Sequence, residues 1–93
     1  MYGTIMRVKV KPGAIEEMQN RIERQRPPGM VWSYVYRMDD DPNEVIMTVG
    51  FRDKKAYWDY AESNQSDSEY QKMAKFFDGE PEWNDGEIVF ASD

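Results

Sequence analysis

Residues 30–51 read MVWSYVYRMDDDPNEVIMTVGF, and the fold follows from how this stretch divides. From Met30 to Met38 the residues are aromatic or β-branched, the composition of a strand. Both of its faces carry apolar side chains, Trp32, Tyr34 and Tyr36 on one and Val31 and Val35 on the other. Such a strand is expected to be covered on both sides. Asp39-Asp40-Asp41-Pro42-Asn43 supplies turn residues, and Val45, Ile46, Met47, Val49 and Phe51 supply a second apolar run. With so short a connection the two strands form an antiparallel hairpin.

Upstream, residues 2–10 alternate, with Tyr2, Thr4, Met6, Val8 and Val10 sharing one face of a first strand. Pro12-Gly13 turns the chain. Ala14, Ile15, Met18 and Ile22 then recur at helical spacing, with Glu16, Glu17, Arg21 and Arg24 mostly outside. Pro27-Pro28-Gly29 ends that helix. Downstream of the hairpin, Asp53 is an N-cap for a second helix whose stripe is Ala56, Tyr57, Tyr60 and Ala61. Polar residues 63–68 interrupt it. A further helix is expected to be capped by Ser66, with Glu69 reaching back, and its stripe is Tyr70, Met73, Ala74 and Phe77. Asn84-Asp85-Gly86 reads as a turn before a last strand, Glu87 to Ala91. The order βαββαβ, with its second helix broken, predicts an α+β domain with a four-stranded antiparallel sheet and the helices on one face.

The chain of 93 residues is expected to form one domain, spanning 1–93. At this size only roughly 60–65% of the unfolded surface is buried, which favours pairing with a copy, and a homodimer is expected. Hydrophobic residues make up 40% and aromatics 14%, too much apolar area for a disordered tail. The net charge of -6 disfavours nucleic acid and anionic membranes. Residues 1–26 hold six Lys/Arg against three acids, a balance of +3, and residues 27–93 hold six against fifteen, a balance of -9. No apolar run approaches the roughly 18 residues of a membrane span, and the first residues lack a signal-peptide pattern, so a cytoplasmic location is expected.

The chain contains neither Cys nor His. That removes thiol nucleophiles, thiolate or imidazole metal sites, the commonest haem ligand and the commonest general base. No phosphate loop or nucleophile elbow is present. The acids of residues 39–44 fit no calcium-loop template and read as a solvated turn. No metal and no cofactor are therefore expected. The conspicuous chemistry is aromatic: residues such as Tyr34, Tyr57, Tyr60 and Phe77 either pack as core or line an apolar pocket with phenolic hydroxyls at its edge.

A first strand running into Lys11-Pro12-Gly13, a helix, an aromatic strand, the turn DDDPNEV and the segment FRDKKAYWDYAES together resemble the antibiotic biosynthesis monooxygenase family over nearly the whole chain. The resemblance implies a ferredoxin-like dimer, a dimeric α/β barrel in which two sheets pack face to face. It also implies oxygenation of quinol-like aromatics without metal or flavin, or else haem breakdown as in one branch of the family. The haem-degrading branch's Asn falls on Met6, its Trp on Tyr60 and its His near Met73 or Ala74. None of the three is kept, so that activity is not expected. Tyr60 is the candidate catalytic residue, because it shares the inward stripe with Tyr57 and occupies the family's Trp position. The candidate substrate-binding residues are Met6, Tyr34, Tyr57, Tyr60 and Phe77. Trp58 falls on the far side of the helix at about 100° per residue and is expected at an edge or interface. Two readings stay open: a cofactor-independent monooxygenase of a small electron-rich aromatic, and a non-catalytic dimer that binds a small ligand or regulates. A pocket in which Tyr60 meets another polar group favours the first.

Overall fold

The computed structural model describes residues 1–23 and 27–92. Arg24 lies outside the described residues, as does the side chain of Ile22. The described elements are β1 (Tyr2–Lys9), α1 (Ile15–Glu23), β2 (Met30–Arg37), β3 (Glu44–Phe51), α2 (Lys54–Ala61), α3 (Asn64–Ala74) and β4 (Glu82–Glu87). The four strands form one antiparallel sheet in the order β2-β3-β1-β4. This is the α+β, ferredoxin-like arrangement expected from the sequence. No described helix is long and apolar enough to cross a membrane.

The period-two pattern of β1 becomes a two-sided strand. Thr4, Met6, Val8 and Val10 are buried against the helices, while Ile5, Arg7 and Lys9 point to the other face and are exposed. Met6, Val8 and Val10 pack with Val45, Met18, Met73 and Phe76, and a second cluster joins Val49 and Phe51 to Ala56 and Tyr57. Both clusters lie between the sheet and the helices. Burying these side chains supplies the main favourable term, of the order of 1.5–3 kcal/mol for each large apolar residue.

Local chemistry sets the helix ends. Asp53 caps α2, accepting from the amide of Ala56 at 2.8 Å. The cap of α3 is Ser63, not Ser66: its hydroxyl accepts from the Ser66 amide at 3.1 Å and donates to the Tyr60 carbonyl at 2.6 Å. One serine thus closes α2 and opens α3, and the interruption shrinks to a corner. Glu69, expected to complete the cap of α3, reaches Tyr60 instead.

The last strand also differs from expectation. It spans Glu82–Glu87, and Asn84, Asp85 and Gly86 lie within it, opposite Ile5, Thr4 and Gly3. Past the strand, the amide of Ile88 donates to the carbonyl of Met1 at 2.9 Å. Residues 89–91 run past the sheet, leaving Val89 and Phe90 86% and 81% exposed.

The aromatic strand β2 is an edge strand, and within one chain it is not covered on both faces as expected. Ser33 and Val35 turn towards the helices. Trp32, Tyr34 and Tyr36 turn to the opposite, open face of the sheet. There Tyr34 is 57% exposed and shares the surface with Tyr36 and Ile5, which are also exposed. Trp32 lies over Gly50: a Cβ at that position would come within 2.5 Å of the indole, so the close approach requires glycine.

Candidate functional site

Between the helices and the sheet lies a cavity of about 500 Å³, within the range of roughly 300–1,000 Å³ usual for small-molecule sites. It exists because the helices cover the sheet unevenly. Val35 of β2 lines it together with Met6, Met47 and Met73. Five methionines line it in all, Met18 and Met30 being the others. Their unbranched thioethers give an apolar wall that adapts to the shape of a ligand.

The aromatic side of the cavity is built on Phe51. Its ring is stacked on Tyr60 at 5.9 Å between centroids and meets Tyr57 edge-on at 5.5 Å. Trp58 packs edge-on against Tyr57 at 5.0 Å and lines the cavity, in place of the edge or interface position expected for it. At the other end Tyr70 stands between Phe77 and Trp83, at 6.1 and 6.4 Å.

Two phenol–carboxylate pairs are set into this apolar frame. The hydroxyl of Tyr57 donates to Asp85 Oδ1 at 2.7 Å, and that of Tyr60 donates to Glu69 Oε2. Burial, reinforced by the neighbouring carboxylate, holds each phenol well above its ordinary pKa, while Thr4 works the other way on Tyr57 and Ser66 on Tyr60. Both tyrosines therefore keep their protons at neutral pH. Neither is a phenolate base. Each phenol is the donor of its pair and the carboxylate the acceptor.

Beside Tyr57 lies Thr4, opposite Asp85 across the β1–β4 ladder. It is 5% exposed, and its buried hydroxyl faces the Tyr57 phenol. Among the described residues that line the cavity, the charged ones are Asp67, Glu69 and Asp85, all acids.

The structure brings Met6, Tyr57, Tyr60 and Phe77 around one cavity. Tyr34 stands apart, because the alternation that turns Ser33 and Val35 inwards turns Tyr34 to the open face. Thr4, Glu69 and Asp85 were not singled out from the sequence. Thr4 is legible in the sequence as inward-facing, but nothing there marks its approach to Tyr57. Glu69 meets Tyr60 across a helix break, where no periodicity links them, and Asp85 was absorbed into a turn. No group of acids among the described residues is placed to hold a metal ion.

Searches for a matching family model and for curated relatives found none. Solved structures do match. SnoaB, a cofactor-independent oxygenase from Streptomyces nogalater, superposes with a TM-score of 0.79 at 17% identity, over 97% of this chain and 94% of that one. A candidate antibiotic biosynthesis monooxygenase from Bordetella bronchiseptica gives 0.78 at 15% identity, over 96% and 97%. Another from Nitrosomonas europaea gives 0.75 at 17%, over 97% and 100%. The chain has the antibiotic biosynthesis monooxygenase fold. The agreement runs over nearly the whole of each chain. At these identities the likeness concerns backbone architecture, and what the site does has to be argued from its own residues.

Proposed function

We propose that the protein is a cofactor-independent oxygenase of a small, electron-rich hydroxyaromatic, working as a homodimer. The observation that carries the reading is the Tyr60–Glu69 pair set in the wall of an apolar cavity. Oxygenation without a cofactor requires the substrate to supply the electrons, so the protein has to take a proton from it and keep water away. Glu69 is the acceptor. A substrate hydroxyl hands its proton to Tyr60 as Tyr60 passes its own to Glu69, leaving an aryloxide that dioxygen oxidises. For a phenol with a free para position the balance is one phenol and one dioxygen to one quinone and one water. One oxygen atom becomes the new carbonyl, and the other leaves as water with the two hydrogens lost by the ring and its hydroxyl. SnoaB, which shares the fold, is named as an oxygenase of this cofactor-independent kind.

The dimer reading rests on the open face of the sheet, where Ile5, Tyr34 and Tyr36 are exposed together in a chain too small to leave such a patch idle. A second reading, a binding domain without turnover, is favoured by the protonated state of both phenols. Oxygen uptake measured with a panel of hydroquinones and phenols separates the two. Protein-dependent uptake with an oxygen atom of dioxygen carried into the product supports the oxygenase, and tight binding with no uptake supports the binding domain.

A further inference from the structure

We infer that the cavity is entered at the β4 edge of the sheet, through a gate formed by Tyr70 and Trp83 that slows the passage of anionic aromatics. The inference rests on the cavity being the ligand site, as proposed above, and adds the way in and the charge that it admits.

The cavity reaches both edges of the sheet. β2 and β4 are the outer strands, and Ser33 and Val35 line it from the first, Trp83 and Asp85 from the second. With strands about 4.8 Å apart, these ends are separated by about 14 Å. At the β4 end Trp83 and Tyr70 line the cavity while being 46% and 41% exposed, so they face the cavity and the solvent at once. Val35 is exposed at the β2 end, but the described residues lining that end include neither a ring pair nor a charge.

Tyr70 stands on α3 and Trp83 on β4, and no backbone hydrogen bond among the described residues joins these two elements. The gap between them is spanned by side chains. The two rings are 6.4 Å apart between centroids, within the range of paired aromatics. A third flat ring needs about 3.5–4.0 Å of clearance on each face, so it passes only when one of the pair swings aside. Trp83 has room to swing, because it is half exposed on a strand with a neighbour on one side only.

Each side of the gate sets an acid beside its ring. Asp67 lies three residues before Tyr70 and shares its face of α3, and Asp85 lies two residues after Trp83 on the same side of β4. Both acids are exposed and line the cavity, and no described Lys or Arg lines it. An anion entering here passes two like charges, which a neutral phenol does not feel. In an oxygenase of the kind proposed, the phenol enters neutral, and the aryloxide made inside is held back by the same charges.

Stopped-flow mixing without oxygen, read through the fluorescence of the ligand, gives association and dissociation rates for 1-naphthol and 1-naphthoate. Removing a gate speeds entry and exit together, whereas removing part of a binding wall speeds exit alone. Trp83→Ala and Tyr70→Ala should each raise both rates for 1-naphthol about three- to tenfold. In the parent, 1-naphthoate should associate about fivefold or more slowly than 1-naphthol at low salt, and Asp67→Asn or added salt should narrow the difference. A rise in both rates in either alanine variant supports the gate. The inference is overturned if neither variant raises association, or if naphthoate enters the parent as fast as 1-naphthol. Failure of the parent to bind 1-naphthol at all would sink the cavity reading with it. Should the gate behave as described while oxygen uptake is absent, the oxygenase reading fails and the gate stands.

Discussion

The phenol of Tyr60 donates its hydrogen bond to the carboxylate of Glu69, joining the end of α2 to the middle of α3 across the corner that separates them. That bond does two things. It fixes the angle between two short helices, and it puts a proton acceptor against the wall of an apolar cavity.

Tyr60→Phe removes the hydroxyl and keeps the ring stacked on Phe51. A lost proton-transfer role lowers turnover by about 10²–10⁴-fold, whereas a lost hydrogen bond costs about 0.5–1.5 kcal/mol of stability. The expected result is a large fall in kcat with a small fall in the urea midpoint, and Glu69→Gln should lower kcat likewise. Turnover equal to the parent's would return Tyr60 to the role of packing.

The phenols of Tyr57 and Tyr60 are held above their ordinary pKa of 10.0, firstly by burial and then by Asp85 and Glu69. Unfolding frees both to ionise at the ordinary value. Their contribution to stability is thus present in full below about pH 10 and is lost as pH rises through the folded values. Denaturant midpoints at about pH 9 and about pH 11 should fall further in the parent than in Tyr57→Phe or Tyr60→Phe. An equal fall in all three would show that neither phenol is shielded.

Phe51 is 1% exposed and touches both tyrosines of the site. Phe51→Ala should destabilise the protein by about 3–5 kcal/mol and loosen both phenol–carboxylate pairs. Calorimetric unfolding checks the first, and the affinity for 1-naphthol checks the second. A loss below about 1.5 kcal/mol would show that the cavity wall collapses to fill the space.

The open face of the sheet is expected to be covered by a second copy. Sedimentation should return twice the chain mass, and Tyr34→Lys should shift the protein towards the monomer by placing a charge in the middle of that face. A parent that stays monomeric at micromolar concentration contradicts the dimer.

Most of the architecture was legible because it rests on periodicity. The two faces of β1, the hairpin of residues 30–51 and the Asp53 cap follow from alternation and side-chain chemistry within a few residues. What was missed depends on partners distant in the chain. Asn84-Asp85-Gly86 has the local chemistry of a turn, yet the free edge of β1 draws it into the sheet and sets Asp85 opposite Thr4. Ser66 has the look of a cap, but Ser63 can bond both helices and takes the position. The same limit hid the site. Period two placed Met6 inwards and left the faces of β2 indistinguishable, because both are apolar, so Tyr34 was grouped with residues from which the sheet separates it. The pairing of Tyr60 with Glu69 is a property of packing and has no local signature.

Oxygen consumption by metal-depleted protein, with a para-unsubstituted naphthol as the sole reductant, tests oxygenation without a cofactor most directly. The account predicts protein-dependent uptake of one dioxygen per quinone formed, without added metal, flavin or haem, and slowed about 10²–10⁴-fold in Tyr60→Phe. Uptake no faster than in buffer, from protein shown to bind 1-naphthol in the cavity, would contradict it.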